Sequence, residues 1–542
     1  MQNSSAKASI FFGRKDVHAL LEKRLESFLK GYRQNIGILG QPFIGKTSLV
    51  HFFLNRISNK DEIIPVFFSC QEFDSFERFS ERWLGELLFS FQTASGEPFP
   101  GSVHTLLRAH RGVIPKTIAK MKSVKKLVLK KRNEQAYQEL LSLSGILHEE
   151  TGKKVLMVLD EFDRLSELGL KDPFSNLGKE MMVQKETMFL VTSSRPSRSL
   201  AIFREKLSLL FANFEVVKLG PFHFEECREF MNSRFPLSRF SEELKRFLIR
   251  MTDGHPFYLE ILASRLERCA WGAHELDRTL LIEALRRELD SADGVLNHYF
   301  QSRLHESAQA KPWPFFADVL MSLALGYKKP SQAARFLGEK STDIKKALER
   351  LLLVELVQKH GSFFQVPDPL FRFWLEQVYY RRRFLTDRSP IAGAQSFEAE
   401  VDEIIEEQIR EDQEELPKRI GKLLLKFEND SVEINGKRLN CPHFDEVVMR
   451  PNNGRAFPVF ARNSSVRWLC QVLSNPVTEE DIRTFLQDLK HYKSPIPKRF
   501  VIGLRGIDLN AKLLAQEAKI QYLDLKMLNF LLDLYDKPKL VV

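Results

Sequence analysis

The 542-residue sequence predicts an α/β fold whose first part is built around a parallel β-sheet. Two observations lead to this prediction. Short apolar segments alternate with longer amphipathic segments up to Phe222, and the alternation then gives way to a helical pattern. Strands that alternate with helices form βαβ units, and such units build parallel sheets.

Five short apolar segments are the candidate strands of this sheet. Each is too short for a typical helix and is bounded by polar or glycine residues. They are residues 36–39, 63–70, 155–159, 187–192 and 214–219. An amphipathic helix is predicted over 14–33, and helices fill the chain from Phe224 to about Leu304, with a break at Gly254-His255-Pro256.

Composition excludes several protein classes. With 43% hydrophobic and 28% charged residues, the chain is typical of globular proteins and not of disordered, collagenous or coiled-coil ones. Its five cysteines show no CxxC spacing, which argues against a disulfide framework or a structural zinc site. No segment reaches the ~20 apolar residues of a membrane span, and no signal peptide is evident, so we expect a cytoplasmic protein without membrane contact.

The net charge of +10 is concentrated in one stretch. Residues 101–133 contain ten Lys or Arg and no Asp or Glu. Within 113–132 the apolar residues fall at helical spacing, which predicts a basic amphipathic helix. Such a helix could bind the backbone of DNA or RNA, a membrane surface or an acidic partner. Alternatively, its apolar face packs on the core and its lysines are solvated. The nucleic-acid candidates are Lys120, Lys122, Lys125 and Lys126.

The clearest motif is GxxxxGKT, from Gly40 to Thr47, between the first predicted strand and a helix. Successive backbone N–H groups in such a loop form a site for phosphates. Lys46 is expected to reach the β- and γ-phosphates, and Thr47 to hold Mg²⁺. Gly40, Gly45, Lys46, Thr47 and Ser48 are therefore the predicted nucleotide-binding residues, with ATP and Mg²⁺ as cofactors.

Two further strand ends carry polar residues suited to the same chemistry. Asp160 and Glu161 follow an apolar strand, which places carboxylates where ligands collect in open α/β sheets. We expect Asp160 to bind Mg²⁺ and Glu161 to polarise the attacking water. Ser194 or Arg195, at the end of the next strand, could sense the γ-phosphate. The predicted catalytic residues are Lys46, Glu161 and Arg195.

Six motifs occur in an order that resembles the archaeal-type ATPases of the STAND/AAA+ group, relatives of the replication-initiator ATPases. They are Gly13-Arg14, the 40–47 loop, Asp160-Glu161, Ser194-Arg195, Leu219-Gly220-Pro221-Phe222 and Gly254-His255-Pro256. The resemblance covers about residues 10–385.

This resemblance assigns roles to individual residues. It implies that His255 and Pro256 pack against the adenine, that Arg14 lies near the base and sugar, and that Arg195 senses the γ-phosphate. The loop departs from the family at Phe43, where arginine is frequent. No residue stands out as a trans-acting arginine finger, for which Arg198 and Arg204 are candidates.

Residues 315–366 predict a winged helix-turn-helix. Helices over 315–325, 331–337 and 341–351 precede a hairpin over 356–366 with Gly361 at its turn. Lys345 and Lys346, with Arg350 and the hairpin's Lys359 and His360, could meet nucleic-acid phosphates. Alternatively, as in the ATPases that this chain resembles, the module packs on the nucleotide domain and holds it closed.

The C-terminal section resembles the PD-(D/E)xK restriction-endonuclease-like domains of other archaeal-type ATPases. Glu398, Asp445 and Cys470-Gln471-Val472 match the metal-binding positions of that family. The E-x-K element is absent, because a thiol, an amide and a valine supply neither a carboxylate nor a lysine. We therefore expect an inactive binding or assembly module, with Lys490 as the candidate for a displaced lysine.

These inferences predict four domains. They are a P-loop ATPase core at 10–222 with a basic helical insert at about 101–133, an all-α lid at 223–305, a winged helix at 312–388 and a nuclease-like α/β domain at 396–542. The leading hypothesis is a slowly hydrolysing ATP switch that controls nucleic-acid, protein-partner or self-assembly contacts. Two alternatives are a nucleic-acid-processing effector with an active nuclease site and a DNA-binding regulator that uses ATP only as a ligand.

Overall fold

The computed structural model divides the chain into two compact units, Met1–Phe222 and His223–Val542. It describes every residue except 1–10, 58–60, 72, 95–109, 209–212, 236–239, 270–274, 307–312, 385–389, 435, 450–455, 491–495 and 541–542. The boundary coincides with the change of sequence pattern at Phe222. The finer division into four domains stays a prediction.

The first unit is built on a five-stranded sheet in which every neighbouring pair is parallel. The strands are β1 (Asn35–Leu39), β2 (Ile63–Ser69), β3 (Lys154–Asp160), β4 (Thr187–Ser193) and β5 (Phe214–Lys218). Their order is β2-β3-β4-β1-β5. The predicted α/β fold class is confirmed. Because β4 lies between β1 and β3, the loops that follow these three strands emerge side by side at one sheet edge.

Helices cover both faces of this sheet. They are α1 (Lys15–Leu29), α2 (Lys46–Asn55), α3 (Phe76–Ala94), α4 (Pro115–Leu129), α5 (Asn133–Thr151), α6 (Pro173–Val183) and α7 (Pro196–Glu205), with a 3₁₀ segment at Phe162–Leu168. One apolar core joins the sheet to α1 and α2, and the other joins it to α3 through α7.

The basic stretch forms α4, and residues 101–109 of the predicted insert lie outside the described part of the chain. Ile118, Met121 and Val124 are fully buried against the core, as the amphipathic pattern predicts. Lys122 and Lys126 are exposed on the opposite face. Lys120 differs, since its ammonium lies 3.5 Å from the carboxylate of Glu139 on α5.

The second unit begins with helices and then reaches a hairpin. The helices are α8 (Phe224–Arg234), α9 (Glu242–Thr252), α10 (Pro256–Cys269), α11 (Arg278–Leu289), α12 (Val295–Glu306), α13 (Trp313–Ala324), α14 (Pro330–Leu337) and α15 (Ser341–Leu353). The hairpin pairs β6 (Gln358–His360) with β7 (Phe363–Gln365). The order from α13 to β7 is the one that the sequence predicted for a winged helix. Nowhere in the described chain is there a helix long and apolar enough to cross a membrane.

A helix with one π-helical turn follows the hairpin. It consists of α16 (Pro369–Trp374), the π turn Leu375–Tyr379 and α17 (Tyr380–Phe384). Three consecutive arginines on α17 each pair with a different part of the chain: Arg381 with Glu400, Arg382 with Asp290 at 2.9 Å, and Arg383 with Asp318 at 3.4 Å.

The C-terminal section is a second α/β region. Its helices are α18 (Pro390–Gln413), α19 (Leu416–Leu424), α20 (Glu479–Lys490), α21 (Leu509–Glu517) and α22 (Leu525–Leu534). Its strands are β8 (Asp430–Ile434), β9 (Lys437–Cys441), β10 (Glu446–Met449), β11 (Ala456–Arg462), β12 (Arg467–Leu473), β13 (Lys498–Gly503) and β14 (Gln521–Asp524). From their sequence, residues 389–395 are predicted to be a linker loop. That prediction is wrong from Pro390 onward, because α18 begins there.

This section contains a five-stranded sheet in the order β10-β11-β12-β13-β14. The pairs β10–β11 and β11–β12 are antiparallel, whereas β12–β13 and β13–β14 are parallel. Strands β8 and β9 form a separate hairpin.

The β6–β7 hairpin packs against this C-terminal section. The Ser362 N–H donates to the carbonyl of Ser431 on β8 at 3.2 Å. A Cβ at Gly361 would lie 2.1 Å from that same carbonyl oxygen, so the approach requires glycine. The His360 ring lies 4.6 Å from the Phe530 ring, and burial lowers the pKa of His360. The hairpin is therefore an internal contact of the second unit.

Two ion pairs complete this contact, and the cation of each is largely buried. Arg372 on α16 pairs with Asp533 on α22, which also accepts from the Gln365 amide at 2.9 Å. The Lys328 ammonium, 3% exposed, lies 2.6 Å from Asp536.

The end of the chain contacts α9 in a similar way. Arg250 pairs with Asp412 at 2.7 Å and donates to the Lys539 carbonyl at 2.9 Å. The Lys539 ammonium lies 2.7 Å from Asp253, at the C-terminal end of α9. Helices, hairpin and C-terminal section of the second unit are thus joined through polar contacts.

Replacing Asp533 by alanine tests the importance of these pairs. The substitution leaves the Arg372 guanidinium buried without its carboxylate, which costs about 3–5 kcal/mol of unfolding free energy. The matched control is Glu446→Ala, which removes a pair with Arg462 whose side chains are 45% and 56% exposed. It should cost less than about 1 kcal/mol. Denaturant unfolding followed by tryptophan fluorescence compares the two, and equal losses would contradict the prediction.

Candidate functional site

The loop between β1 and α2 needs glycine at two positions for different reasons. A Cβ at Gly40 would lie 2.4 Å from the Leu219 carbonyl oxygen, so no side chain fits. The Gly40 N–H donates to the Ser193 carbonyl at 3.1 Å, which fixes the loop to the end of β4. Gly45 begins α2 with a φ of 94°, in the left-handed region that favours glycine. Phe43, between them, has a φ of 58° and is 57% exposed.

Lys46 is buried at the base of this loop, with 3% exposure. Its ammonium donates to the carbonyls of Gly40 and Gln41 at 3.0 and 2.9 Å and to the Ser194 hydroxyl at 2.7 Å. Its nitrogen lies 3.7 Å from a carboxylate oxygen of Glu161. Burial lowers the pKa of Lys46, and the carboxylates of Glu161 and Asp160 oppose that effect.

Asp160, at the end of β3, faces the first turn of α2. The Thr47 hydroxyl lies 3.1 Å from one of its carboxylate oxygens, and the Thr192 hydroxyl donates to the same oxygen at 2.6 Å. Burial raises the pKa of Asp160, while the Thr192 hydrogen bond lowers it.

The Thr47–Asp160 pair fits Mg²⁺, which prefers oxygen ligands and usually keeps several waters beside one or two carboxylates. Within the described ranges no group of three or more His, Cys, Asp or Glu could hold a metal ion. A magnesium ion at this pair would therefore depend on phosphate and water oxygens for its remaining ligands.

Glu161 is held by Ser194, at the end of β4. The Ser194 N–H donates to one carboxylate oxygen at 2.7 Å, and the Ser194 hydroxyl donates to the other. Glu161 itself has a φ of 54° and is 5% exposed. The structure thus brings Lys46, Thr47, Asp160, Glu161 and Ser194 together at one edge of the sheet. Ser48, the next residue of α2, is exposed.

The arginines near this edge have other partners. The Arg195 guanidinium lies 3.2 Å from Glu167 and 3.6 Å from Asp163, on the 3₁₀ segment after β3. Arg198 donates to the Ser166 hydroxyl at 2.5 Å, and Arg204 is exposed. Ser194 therefore makes the contact with Lys46, and the sensor role of Arg195 stays a prediction.

Arg14 connects two of the sequence motifs. With a φ of 60°, it turns into α1, and its guanidinium donates to the Pro221 carbonyl at 3.3 Å and to the Gly220 carbonyl. The guanidinium also lies 4.8 Å over the Phe222 ring. Gly13-Arg14 and Gly220-Pro221-Phe222 are thus in contact, while a role for Arg14 at the base and sugar stays a prediction.

The remaining nucleotide candidates belong to the second unit. His255 is buried and stacks on Tyr258 with ring centroids 4.2 Å apart, and Pro256 begins α10. Their contact with adenine stays a prediction. On α15, Lys345 and Lys346 are both exposed.

The nuclease-like candidates each have their own surroundings. Glu398 on α18 pairs with Arg286 of α11 at 3.0 Å. Asp445 is exposed and directly precedes β10. Its N–H donates to the carbonyl of Arg462 on β11, and Arg462 pairs with Arg467 of β12 in the sheet. Cys470 and Gln471 lie further along β12, are each 3% exposed, and are covered on both sides by β11 and β13. Burial raises the pKa of Cys470 to about 12, which keeps it a neutral thiol. Lys490 is exposed at the end of α20.

No family model and no curated protein matches this chain. A solved Walker-type ATPase of Pyrococcus abyssi is similar to it, with 16% identity and a TM-score of 0.48 over 67% of this chain and 96% of that one. The ORC2 protein of Aeropyrum pernix, in ADPNP-ADP complexes, has 16% identity and a TM-score of 0.41 over 73% of this chain and 94% of that one. RuvB of Thermotoga maritima has 12% identity and a TM-score of 0.34 over 68% and 96%. Similarities of this size indicate no function for this chain.

Sequence reasoning missed three residues at this edge: Thr192, Ser193 and Asp163. Thr192 donates to Asp160, and Ser193 donates to Asp163 at 2.7 Å. The sequence signal for Thr192 and Ser193 was a run of hydroxyl residues at the end of an otherwise apolar strand. Which acid each hydroxyl meets depends on the neighbouring strand, and one sequence does not reveal it.

Gly40→Ala tests the geometry of the loop independently of any ligand. The added Cβ would clash with the Leu219 carbonyl, so the loop must shift and the melting temperature should fall by several degrees. Gly220→Ala is the control, because a Cβ there meets nothing within 4 Å. Its melting temperature should stay within about 1 °C of the original chain. Equal stability of both variants would contradict the close approach at Gly40.

Proposed function

We propose that this chain binds ATP, hydrolyses it slowly and uses its nucleotide state to control contacts with a nucleic acid or another partner. The observation that supports the proposal is the joint placement of Lys46, Thr47, Asp160 and Glu161 at the carboxyl edge of one parallel sheet. Lys46 lies 3.7 Å from Glu161, and Thr47 lies 3.1 Å from Asp160. A lysine, a hydroxyl and two carboxylates after a glycine loop are the groups that phosphoryl transfer requires.

In this proposal the loop and the first turn of α2 bind the phosphates. The first N–H groups of a helix have no intrahelical acceptor, and its N-terminus carries partial positive charge. Lys46 would exchange its backbone carbonyl partners for phosphate oxygens and keep its contact with the Ser194 hydroxyl. Thr47 and Asp160 would hold Mg²⁺, which neutralises phosphate charge when it is bound.

Glu161 would orient and polarise the attacking water. Both of its carboxylate oxygens accept hydrogen bonds from Ser194, so water would compete with Ser194 for them. Such competition favours slow turnover, as suits a switch. Arg195 would act on the γ-phosphate only after its guanidinium leaves Glu167.

The outer face of α4 is the proposed nucleic-acid contact of the first unit. Lys122 and Lys126 are exposed there, with Lys125 half-buried beside them. Lys120 contributes less, because it is paired with Glu139. In the second unit, Lys345 and Lys346 on α15 offer a further contact with a phosphate backbone. The C-terminal sheet, which has Cys470-Gln471-Val472 in place of the E-x-K element, is proposed as a binding or assembly module.

Two substitutions separate nucleotide binding from hydrolysis. Lys46→Ala should weaken ATP binding at least about tenfold, since it removes the cation at the phosphates. Glu161→Gln should preserve binding and lower the rate of phosphate release about a hundredfold, because an amide does not accept a proton. Titration with a fluorescent ATP analogue and a phosphate-release assay measure the two effects.

Lys179→Ala, at an exposed lysine of α6, is the control for both assays and should change neither. Failure of the original chain to bind ATP would refute the proposal. Normal phosphate release by Glu161→Gln would instead refute the assigned role of Glu161.

The charge of α4 predicts salt-dependent binding of single- or double-stranded nucleic acid. Lys122→Gln combined with Lys126→Gln should weaken binding and reduce the slope of log affinity against log salt by about 2, one unit for each phosphate contact. Lys120→Gln should do much less, because Glu139 already neutralises that lysine. Anisotropy titrations at several salt concentrations measure the slopes, with Lys23→Gln on α1 as an exposed control. Unchanged slopes in the double variant would exclude this face as the contact.

A further inference from the structure

Asp163 is a buried carboxylate that the proposed chemistry does not use. It lies on the 3₁₀ segment just after Asp160 and Glu161, and it is completely buried. One of its oxygens accepts from the Ser193 hydroxyl at 2.7 Å, and the other lies 3.6 Å from the Arg195 guanidinium. Burial raises the pKa of Asp163. Because placing a carboxylate in the interior is costly, its partners indicate what it does there.

Those partners lie on either side of Ser194. The Ser193 hydroxyl also accepts the Arg195 N–H at 3.0 Å, and the Ser193 carbonyl accepts the Gly40 N–H at 3.1 Å. Asp163 therefore fixes the residue before Ser194 through a hydroxyl and the residue after it through a guanidinium.

Side chains of β4 alternate between the two faces of the sheet. Thr192 donates to Asp160 on the face of the nucleotide site, while Ser193 donates to Asp163 on the other face. Ser194 continues the alternation and meets Lys46 and Glu161. The end of β4 is thus held from both faces, and Asp163 holds it from the face away from the site.

We infer that Asp163 is a positioning residue, which fixes Ser193 and Arg195 so that Ser194 contacts both Lys46 and Glu161. The inference rests on the proposed function, because Ser194 is important only if Lys46 and Glu161 act on a nucleotide. Asp163 acts through Ser193 and does not touch the reacting groups. Its loss should therefore lower the rate of hydrolysis while ATP affinity stays the same.

Ser193→Ala and Asp163→Asn test this inference in the full chain. Each should lower kcat for phosphate release roughly ten- to hundredfold, since small displacements of catalytic groups have effects of that size. The dissociation constant for ATP should stay within about twofold. Combining the two substitutions should lower kcat no further than the more affected single variant, because both break one connection.

Two further variants exclude a merely structural effect. Ser193→Thr keeps the hydroxyl and should retain most of the kcat that Ser193→Ala loses. Ser199→Ala removes an equally buried hydroxyl from α7 that has no hydrogen-bond partner among the described residues, so kcat should not change.

The outcomes distinguish this inference from the function on which it rests. A chain that binds no ATP overturns both. A chain that hydrolyses ATP, with Ser193→Ala and Asp163→Asn at the original kcat, overturns only the positioning role. Additive losses in the combined variant, or a fall in ATP affinity equal to the fall in kcat, overturn it as well.

Discussion

The position of β4 between β1 and β3 is the constraint on which the first unit depends. Its backbone pairs with both neighbouring strands. The pairing with β1 begins at Ile36 and Leu190, and the pairing with β3 begins at Val155 and Thr187. This pairing places the glycine loop, the Asp160-Glu161 pair and the hydroxyls of β4 within hydrogen-bonding distance of one another. Charged groups that would be unstable alone in the interior are thereby paired at one edge. The site is a property of the sheet order as much as of any motif.

The second unit depends on polar contacts between segments that are distant in sequence. Arg372 with Asp533, Lys328 with Asp536 and Arg250 with Asp412 all join separate parts of the chain. The geometry of such pairs is specific, so they fix the relative orientation of the segments that they join and also add stability. The hairpin is therefore an internal support, and α15 keeps its exposed lysines.

Local patterns in the sequence predict much of the first unit. The five strands are found within about two residues of their predicted ends, since each is a short apolar run beside a turn. The GxxxxGKT loop and Asp160-Glu161 are found together because parallel strands end at the same edge. The role of Ser194 could not be separated from that of Arg195, since both follow the same strand.

Long-range arrangements are the part that the sequence does not reveal. The pairing of Arg14 with the Gly220 and Pro221 carbonyls spans almost the whole first unit. The glycine at 361 suggested only a turn, whereas it also allows the backbone of β8 to approach. The stretch 389–395 suggested a linker, although its Pro390 is well suited to the first turn of a helix.

The π-helical turn at Leu375–Tyr379 affects where this helix can tolerate the deletion of a residue. A π turn accommodates one more residue than an α-helical turn, and each residue of a helix turns the chain by about 100°. Because the π turn accommodates the extra residue locally, deleting one residue there would restore an α-helical turn and leave Arg381, Arg382 and Arg383 close to their present directions. Deleting a residue from Pro369–Trp374 would instead rotate all three by about 100° and turn them away from Glu400, Asp290 and Asp318 at once. The π turn is thus the place in this helix where the chain can lose a residue and keep its arginine pairs.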